Sequence, residues 1–172
     1  DWFAVEVPPG SPLLASVTLE GADDLDLVLE WMTREPGKDE LRIQADHHVK
    51  SPGPEVLPNL RLEPGTTFFR VREAWYRGKP RRGSRIDYRL HVDTSRWSPT
   101  IESEPNATLS KAAFGSIGQT ASGVLSHARD TDLWRFNVPA LLSTERLSVE
   151  VTPPAGVTTQ VSVAWSAEPQ LR

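Results

Sequence analysis

The sequence predicts an all-β fold: an antiparallel β-sandwich of jelly-roll type with little or no helix. Three observations predict it. Short apolar runs alternate with polar residues at the period of two that a half-buried strand requires. Fifteen prolines and eleven glycines punctuate those runs, which favours turns over long helices. Strand and turn signals recur about every eight to twelve residues, the spacing of a sandwich.

The elements follow in order. Phe3, Val5 and Val7 alternate with polar or small residues and lead into a turn, Pro8-Pro9-Gly10-Ser11-Pro12. Leu14 to Leu19 form a second run. Asp23-Asp24 mark a turn into Leu25 to Trp31, whose odd positions are all apolar, the strand period again. Residues 32 to 59 are polar and broken by Pro and Gly, with a short strand expected around Leu41-Arg42-Ile43 and Val49. Leu60-Arg61-Leu62 precede the turn Glu63-Pro64-Gly65, and Thr67 to Arg72 are a strong strand candidate because β-branched and aromatic residues fit a pleated surface. Tyr76 to Arg85 read as a hairpin tip, followed by a strand over Tyr88 to Val92. Ser95 to Thr100 form a joint. Beyond it, Leu109 to Phe114 suit a short helical turn or an edge segment.

A repeat divides the chain. Asp1-Trp2-Phe3-Ala4-Val5-Glu6-Val7-Pro8 is echoed 131 residues later by Asp132-Leu133-Trp134-Arg135-Phe136-Asn137-Val138-Pro139. Ser16 to Leu19 match Ser148 to Val151, and Val28 to Trp31 match Val161 to Trp165. The period is that of a domain rather than of a small solenoid unit. Residues 1–96 are therefore expected to form one sandwich unit short of its first strand segment. Residues 97–172 are expected to be the leading part of a second, similar unit, able to complete the first unit's sheet.

Composition narrows the function. With 38% hydrophobic and 24% charged residues, the chain is globular rather than disordered. A net charge of −4 argues against general nucleic-acid binding, and no apolar run approaches a bilayer-spanning length. Zero cysteines exclude a disulfide scaffold and a Cys-based zinc site. No nucleophile elbow, HExxH motif, P-loop or dinucleotide fingerprint occurs, and the chain is expected to be non-enzymatic.

The chemistry that stands out is acidic. Glu102, Glu104 and Asn106 lie two apart, so an extended backbone presents them on one face. Asp130 and Asp132 repeat that spacing. Ca²⁺ takes six to eight oxygen ligands in loose geometry, which five such side chains on two segments could supply. The alternative use of these acids is structural, because Asx side chains bond nearby backbone N–H groups in turns. A basic run, Arg77, Lys79, Arg81, Arg82 and Arg85, adjoins Trp75 and Tyr76, a combination able to bind an anionic or carbohydrate surface or else simply to solvate a hairpin tip. Asp23, Asp24 and Asp26 read as a turn. His47-His48 beside Asp46 read as a solvated loop, because no further zinc ligands recur at a suitable spacing.

Taken jointly, several short motifs resemble the bacterial pre-peptidase C-terminal domain family, a secreted β-sandwich module. They are Glu104-Pro105-Asn106, Gly123-Val124-Leu125, the Asp130 to Phe136 turn and strand, Asp26-Leu27-Val28-Leu29, and Gly65-Thr66-Thr67-Phe68-Phe69-Arg70-Val71. The resemblance implies a secreted or cell-surface module within a larger bacterial protein, beside neighbouring domains such as a hydrolase. In the family's calcium-binding collagenase modules the matching residues are ligands; carried over, they are Glu102, Glu104, Asn106, Asp130 and Asp132. Those modules have an acid after the Asn, where this chain has Ala107.

Two functions compete. A binding module would hold a polysaccharide or protein through Trp75, Tyr76, Arg77, Lys79, Arg81 and Arg82, with the aromatics standing in solvent. A structural spacer in a tandem array, stiffened by calcium, would show a tight joint around Arg96-Trp97.

Overall fold

The computed structural model describes residues 1–21, 26–35, 38–45, 53–76, 79–80, 87–126, 130–139 and 144–164. Alternation in the sequence becomes strand wherever a neighbour is available. Seven long strands form first: β1 (Trp2–Val7), β2 (Leu13–Glu20), β3 (Leu27–Glu35), β4 (Lys38–Ala45), β5 (Glu55–Leu62), β6 (Gly65–Glu73) and, after two two-residue strands β7 (Trp75–Tyr76) and β8 (Lys79–Pro80), β9 (Arg89–Arg96). They make two antiparallel sheets, ordered β1-β6-β3-β4 and β5-β2-β9. The fold is the expected all-β sandwich. The helical content among the described residues is one 3₁₀ turn, Leu109–Lys111, followed by β10 (Ala113–Gly115), so that stretch is both helical turn and edge segment. No helix of the described residues is long and apolar enough to cross a membrane.

The core lies between the sheets. Val7, Leu27, Leu29, Trp31, Phe69 and Val71 come from one sheet, and Ala15, Val17, Leu19, Leu57, Leu60 and Leu62 from the other. The odd-numbered apolar positions of β3 face inward as the period-two pattern requires. Trp31 carries a polar handle into this core, and its Nε1 donates to Thr67 Oγ1 at 2.6 Å, removing the cost of a buried unpaired N–H.

The opposite face of β3 is also covered. Glu30 is 2% exposed and accepts hydrogen bonds from Arg70 and from Arg72 Nε, the latter at 3.1 Å. Burial pulls the Glu30 carboxyl upward, but the two guanidinium groups outweigh it and hold its pKa below the usual carboxylate value. Across the β1–β6 ladder, the Arg70 guanidinium also lies 5.5 Å from the Trp2 ring centre.

β5 is longer than the sequence suggested. Pro58 argues against a strand before Leu60, since proline cannot donate to a ladder. The chain solves this with a bulge: Ala15 pairs with Leu60 and Val17 with Leu57, so Pro58 and Asn59 together oppose one residue of β2. Asn59 takes a left-handed φ of 52°, a conformation Asn tolerates better than most residues. Such bulges re-aim side chains, and this one turns Asn59 toward the acidic segment.

Contacts group Asp1–Asn137 as one compact unit and Val138–Arg172 as another. The first unit includes the joint, β10 and β11 (Trp134–Phe136), which pair in parallel. In the second unit, the strands expected over 148–151 and 161–165 do not form among the described residues. Alternation persists, since Leu147, Val149, Val151, Val157, Val161 and Val163 are all exposed, but no strand among the described residues pairs with them. Alternation alone makes no ladder, because strands are stabilised by cross-strand partners.

A candidate metal centre at the edge of the sandwich

The segment after the joint is held on both sides. Ser98 and Thr100 close a hydroxyl-bonded turn, Oγ to Oγ1 at 2.8 Å, and the Ile101 amide donates to the Ser98 carbonyl at 3.1 Å. The chain then runs parallel to β5, where the Glu104 amide donates to the Asn59 carbonyl at 2.9 Å and Leu60 bridges Glu104. On its other side, the Glu102 amide donates to the Ser122 carbonyl at 2.8 Å. An extended backbone so fixed sends every second side chain the same way. Glu102, Glu104 and Asn106 are accordingly all buried, at 0%, 5% and 0% exposure.

Asp132 joins them from two residues before β11. One carboxylate oxygen each from Glu102, Glu104 and Asp132 lie within 4.8 Å of one another, and the three residues could hold a metal ion. The Asn106 side-chain amide donates to Glu102 Oε2 at 3.2 Å and to Asp132 Oδ1 at 3.5 Å, and its backbone N–H donates to Glu104 Oε2 at 3.0 Å. Asn59 Nδ2 donates to Glu102 Oε1 at 3.3 Å. Asp130 acts on its own loop instead, where its carboxylate accepts from Ser126 N at 2.6 Å, Ser126 Oγ at 2.7 Å and Thr131 N at 2.8 Å. Four of the five sequence-predicted acids and amides therefore converge, while the carboxylate of Asp130 ties the turn that delivers Asp132.

The cluster is electrostatically uncomfortable without a cation. Glu102 is pushed up to about 7, first by burial and then by its hydrogen bond with Asp132. Glu104 is also pushed up to about 7, by burial and by the charges of Asp130 and Asp132. Burial raises Asp132 as well, although the hydrogen bond from Glu102 works the other way. The directions agree with Glu102 as the protonated donor and Asp132 as the acceptor.

Two further observations bear on a metal. Glu104 Oε1 and Asn106 Oδ1 are buried with no hydrogen-bond partner, a state that costs about 1–3 kcal/mol for a neutral group and more for a charged one. Gly123 packs against the other two carboxylates: a Cβ there would stand 2.7 Å from Glu102 Oε2 and 3.2 Å from Asp132 Oδ2. The donors are all oxygens, the set that suits a hard cation rather than zinc or copper. Gly123→Ala should weaken cation binding several-fold without removing a ligand, measured by calorimetric titration of the purified chain.

Asn59 and Gly123 carry no acidic signature and were not among the sequence-predicted site residues. A proline inside a strand, signalling the bulge, was the available hint for Asn59. Of the expected hairpin site, the backbone of β7 and β8 pairs Trp75 with Pro80 and Tyr76 with Lys79. The side chains of Trp75, Tyr76 and Lys79, and all of Arg77, Arg81 and Arg82, lie outside the described residues, as do Asp23, Asp24 and Asp46-His47-His48. Comparison with family models finds no match, and neither do searches of curated proteins and solved structures.

Proposed function

We propose that this chain is a non-catalytic structural module, a β-sandwich spacer similar to pre-peptidase C-terminal domains, braced by Ca²⁺ and belonging to a larger secreted or surface protein. The observation that carries this reading is the pair of orphaned buried oxygens, Glu104 Oε1 and Asn106 Oδ1, beside the carboxylates of Glu102 and Asp132. Calcium satisfies hard oxygen donors of this kind and accepts water for the rest of its coordination. Its charge offsets the mutual repulsion of the acids.

The position of the cluster supports a bracing role. Its ligands come from two chain segments, and Asn59 of β5 orients one of them, so a bound ion ties residues 102–106 and 132 to the sandwich edge. The joint before it is tight. Trp97 is half-buried, and the Arg61 guanidinium stacks 4.3 Å from its ring centre, a cation–π contact.

Hydrogen exchange with and without calcium tests the reading. Calcium should slow exchange across residues 100–106 and 120–133 and leave β3 and β6 unchanged, and Asp132→Ala should abolish the effect. Calcium binding without protection of those segments would remove the bracing role, and no binding would assign the acids to turn structure alone.

A further inference from the structure

The hydrogen bonds of the acidic cluster sort the two oxygens of each carboxylate into different surroundings. Glu104 accepts from the Asn106 backbone N–H through Oε2, and its Oε1 is buried without a partner. Glu102 accepts from Asn59 Nδ2 through Oε1 at 3.3 Å, so that oxygen faces β5. Its Oε2 faces Asn106 Nδ2 at 3.2 Å and the space above Gly123, where a Cβ would stand 2.7 Å from it and 3.2 Å from Asp132 Oδ2. Asp132 uses its other oxygen, Oδ1, to accept from Asn106 Nδ2 at 3.5 Å. Asn106 adds one amide oxygen, Oδ1, also buried without a partner. The cluster thus offers a cation four side-chain oxygens, one from each residue.

Asn59 is what turns Glu102 end-on. Its backbone is fixed twice, by the left-handed φ of 52° in the bulge opposite Ser16 and by its carbonyl, which receives the Glu104 amide at 2.9 Å. A side chain anchored in this way cannot follow Glu102 if the carboxylate rolls to present both oxygens to the cluster. Two-oxygen coordination by Glu102 therefore breaks the bond to Asn59. That bond is a firm one once Glu102 is ionised to receive a cation, because hydrogen bonds to a charged acceptor are about twice as strong as neutral ones. A hydrogen bond from the Val124 backbone adds to the hold on the same carboxylate. Asn59 is thus a positioning residue, acting on the ion through Glu102.

We propose that Asn59 sets the ion selectivity of this cluster, by withholding the second Glu102 oxygen that would favour Ca²⁺ over Mg²⁺. The inference rests on the cation reading of the cluster and adds to it the residue that governs which ions compete. Ca²⁺ takes six to eight oxygens in loose geometry and accepts a carboxylate through both of its oxygens. Mg²⁺ demands a near-ideal octahedron, which the narrow bite of a two-oxygen carboxylate distorts, and it keeps several waters. Four single oxygens with water in the remaining positions suit either ion, so the unsubstituted site binds both. Groups that orient a metal ligand from behind typically change affinity 10–100-fold when removed. Here the change falls unequally on the two ions, because only Ca²⁺ gains from the oxygen set free.

Calorimetric titration of the purified chain with CaCl₂ and with MgCl₂ gives the ratio of the two dissociation constants. Asn59→Gly removes only the side-chain donor, since glycine accepts a φ of 52° and keeps the carbonyl that receives the Glu104 amide. It should raise the preference for Ca²⁺ over Mg²⁺ several-fold. Asn59→Asp keeps the shape but cannot donate to Glu102, and should shift the ratio the same way. In the unsubstituted chain, either ion should move the Asn59 side-chain amide resonances, because their partner Glu102 becomes a ligand. A purely structural Asn59 would alter stability and leave the ratio alone. An unchanged ratio in both variants, amide resonances that stay in place while an ion binds, or calcium binding with no magnesium binding in the unsubstituted chain would each overturn the proposal. Failure of the unsubstituted chain to bind either ion is a different result: it would overturn the cation reading itself, and this inference with it.

Discussion

In chelator, the unfolding temperature of this protein should fall as the pH rises from about 5 to about 8, and saturating calcium, if it is the ion held, should remove that fall. The sign follows from the two buried glutamates. Glu102 and Glu104 titrate near 7 in the folded chain, well above their ordinary value of 4.5. Between those values the folded protein holds protons that the unfolded chain releases, so stability declines with rising pH. The contribution is complete below the unfolded value and is lost as pH passes the folded one. Asp132, also raised, acts in the same direction. Glu30 acts oppositely, but its lowered pKa confines its influence to more acid solution, below its ordinary value of 4.5. For two carboxylates the effect is on the order of a few kcal/mol. Calcium bound as proposed would replace the protons and stabilise by mass action, by about 2.7 kcal/mol at a hundredfold excess over its dissociation constant. Glu102→Gln, a neutral isostere, should flatten the pH dependence and lose much of the calcium response. Thermal unfolding followed by circular dichroism at the two pH values reads all of this. A midpoint that rises with pH in chelator would contradict the assignment.

Phe69→Ala should cost about 3–5 kcal/mol, the range for emptying a fully buried aromatic site. Phe69 lies on β6 abreast of both Phe3 and Trp31, and its side chain is completely buried between the sheets. A loss of that size is a large part of a typical domain's stability of about 5–15 kcal/mol. Leu109→Ala is the matched control. Leu109 is 80% exposed, and its truncation should change stability by no more than about 0.5 kcal/mol. Urea denaturation of both variants checks the contrast, and a Phe69→Ala cost below that of an ordinary surface change would mean the two sheets do not pack as described.

The parts of the fold that could be read from sequence are those set by local pattern. Leu27, Leu29 and Trp31 declare a strand because successive side chains alternate between faces, and the period survives whatever the neighbours are. The acidic triplet was legible for the same reason, since spacing of two on an extended segment puts Glu102, Glu104 and Asn106 together. β5 was legible only in its second half, because Pro58 reads locally as a strand breaker while the bulge that accommodates it depends on the pairing with β2. The division of labour between Asp130 and Asp132 was not visible, because both spacings look alike until the Ser126 turn is in place. Gly123 gave no sign of its role, which is to leave space for other residues.

Sequence by itself determined the all-β class, the inward residues of the main strands and the oxygen-rich character of the candidate site. These depend on backbone period and on side-chain chemistry, which are properties of short segments. Tertiary structure alone decided which strands find partners. Similar alternation is buried in β2 and β3 and left exposed across residues 147–163, because a ladder needs a neighbour that no short segment carries. Tertiary structure also decided that four oxygen-bearing side chains meet at the β5 edge, since Asn59, Asp132 and Gly123 reach Glu102 only through pairings between distant parts of the chain.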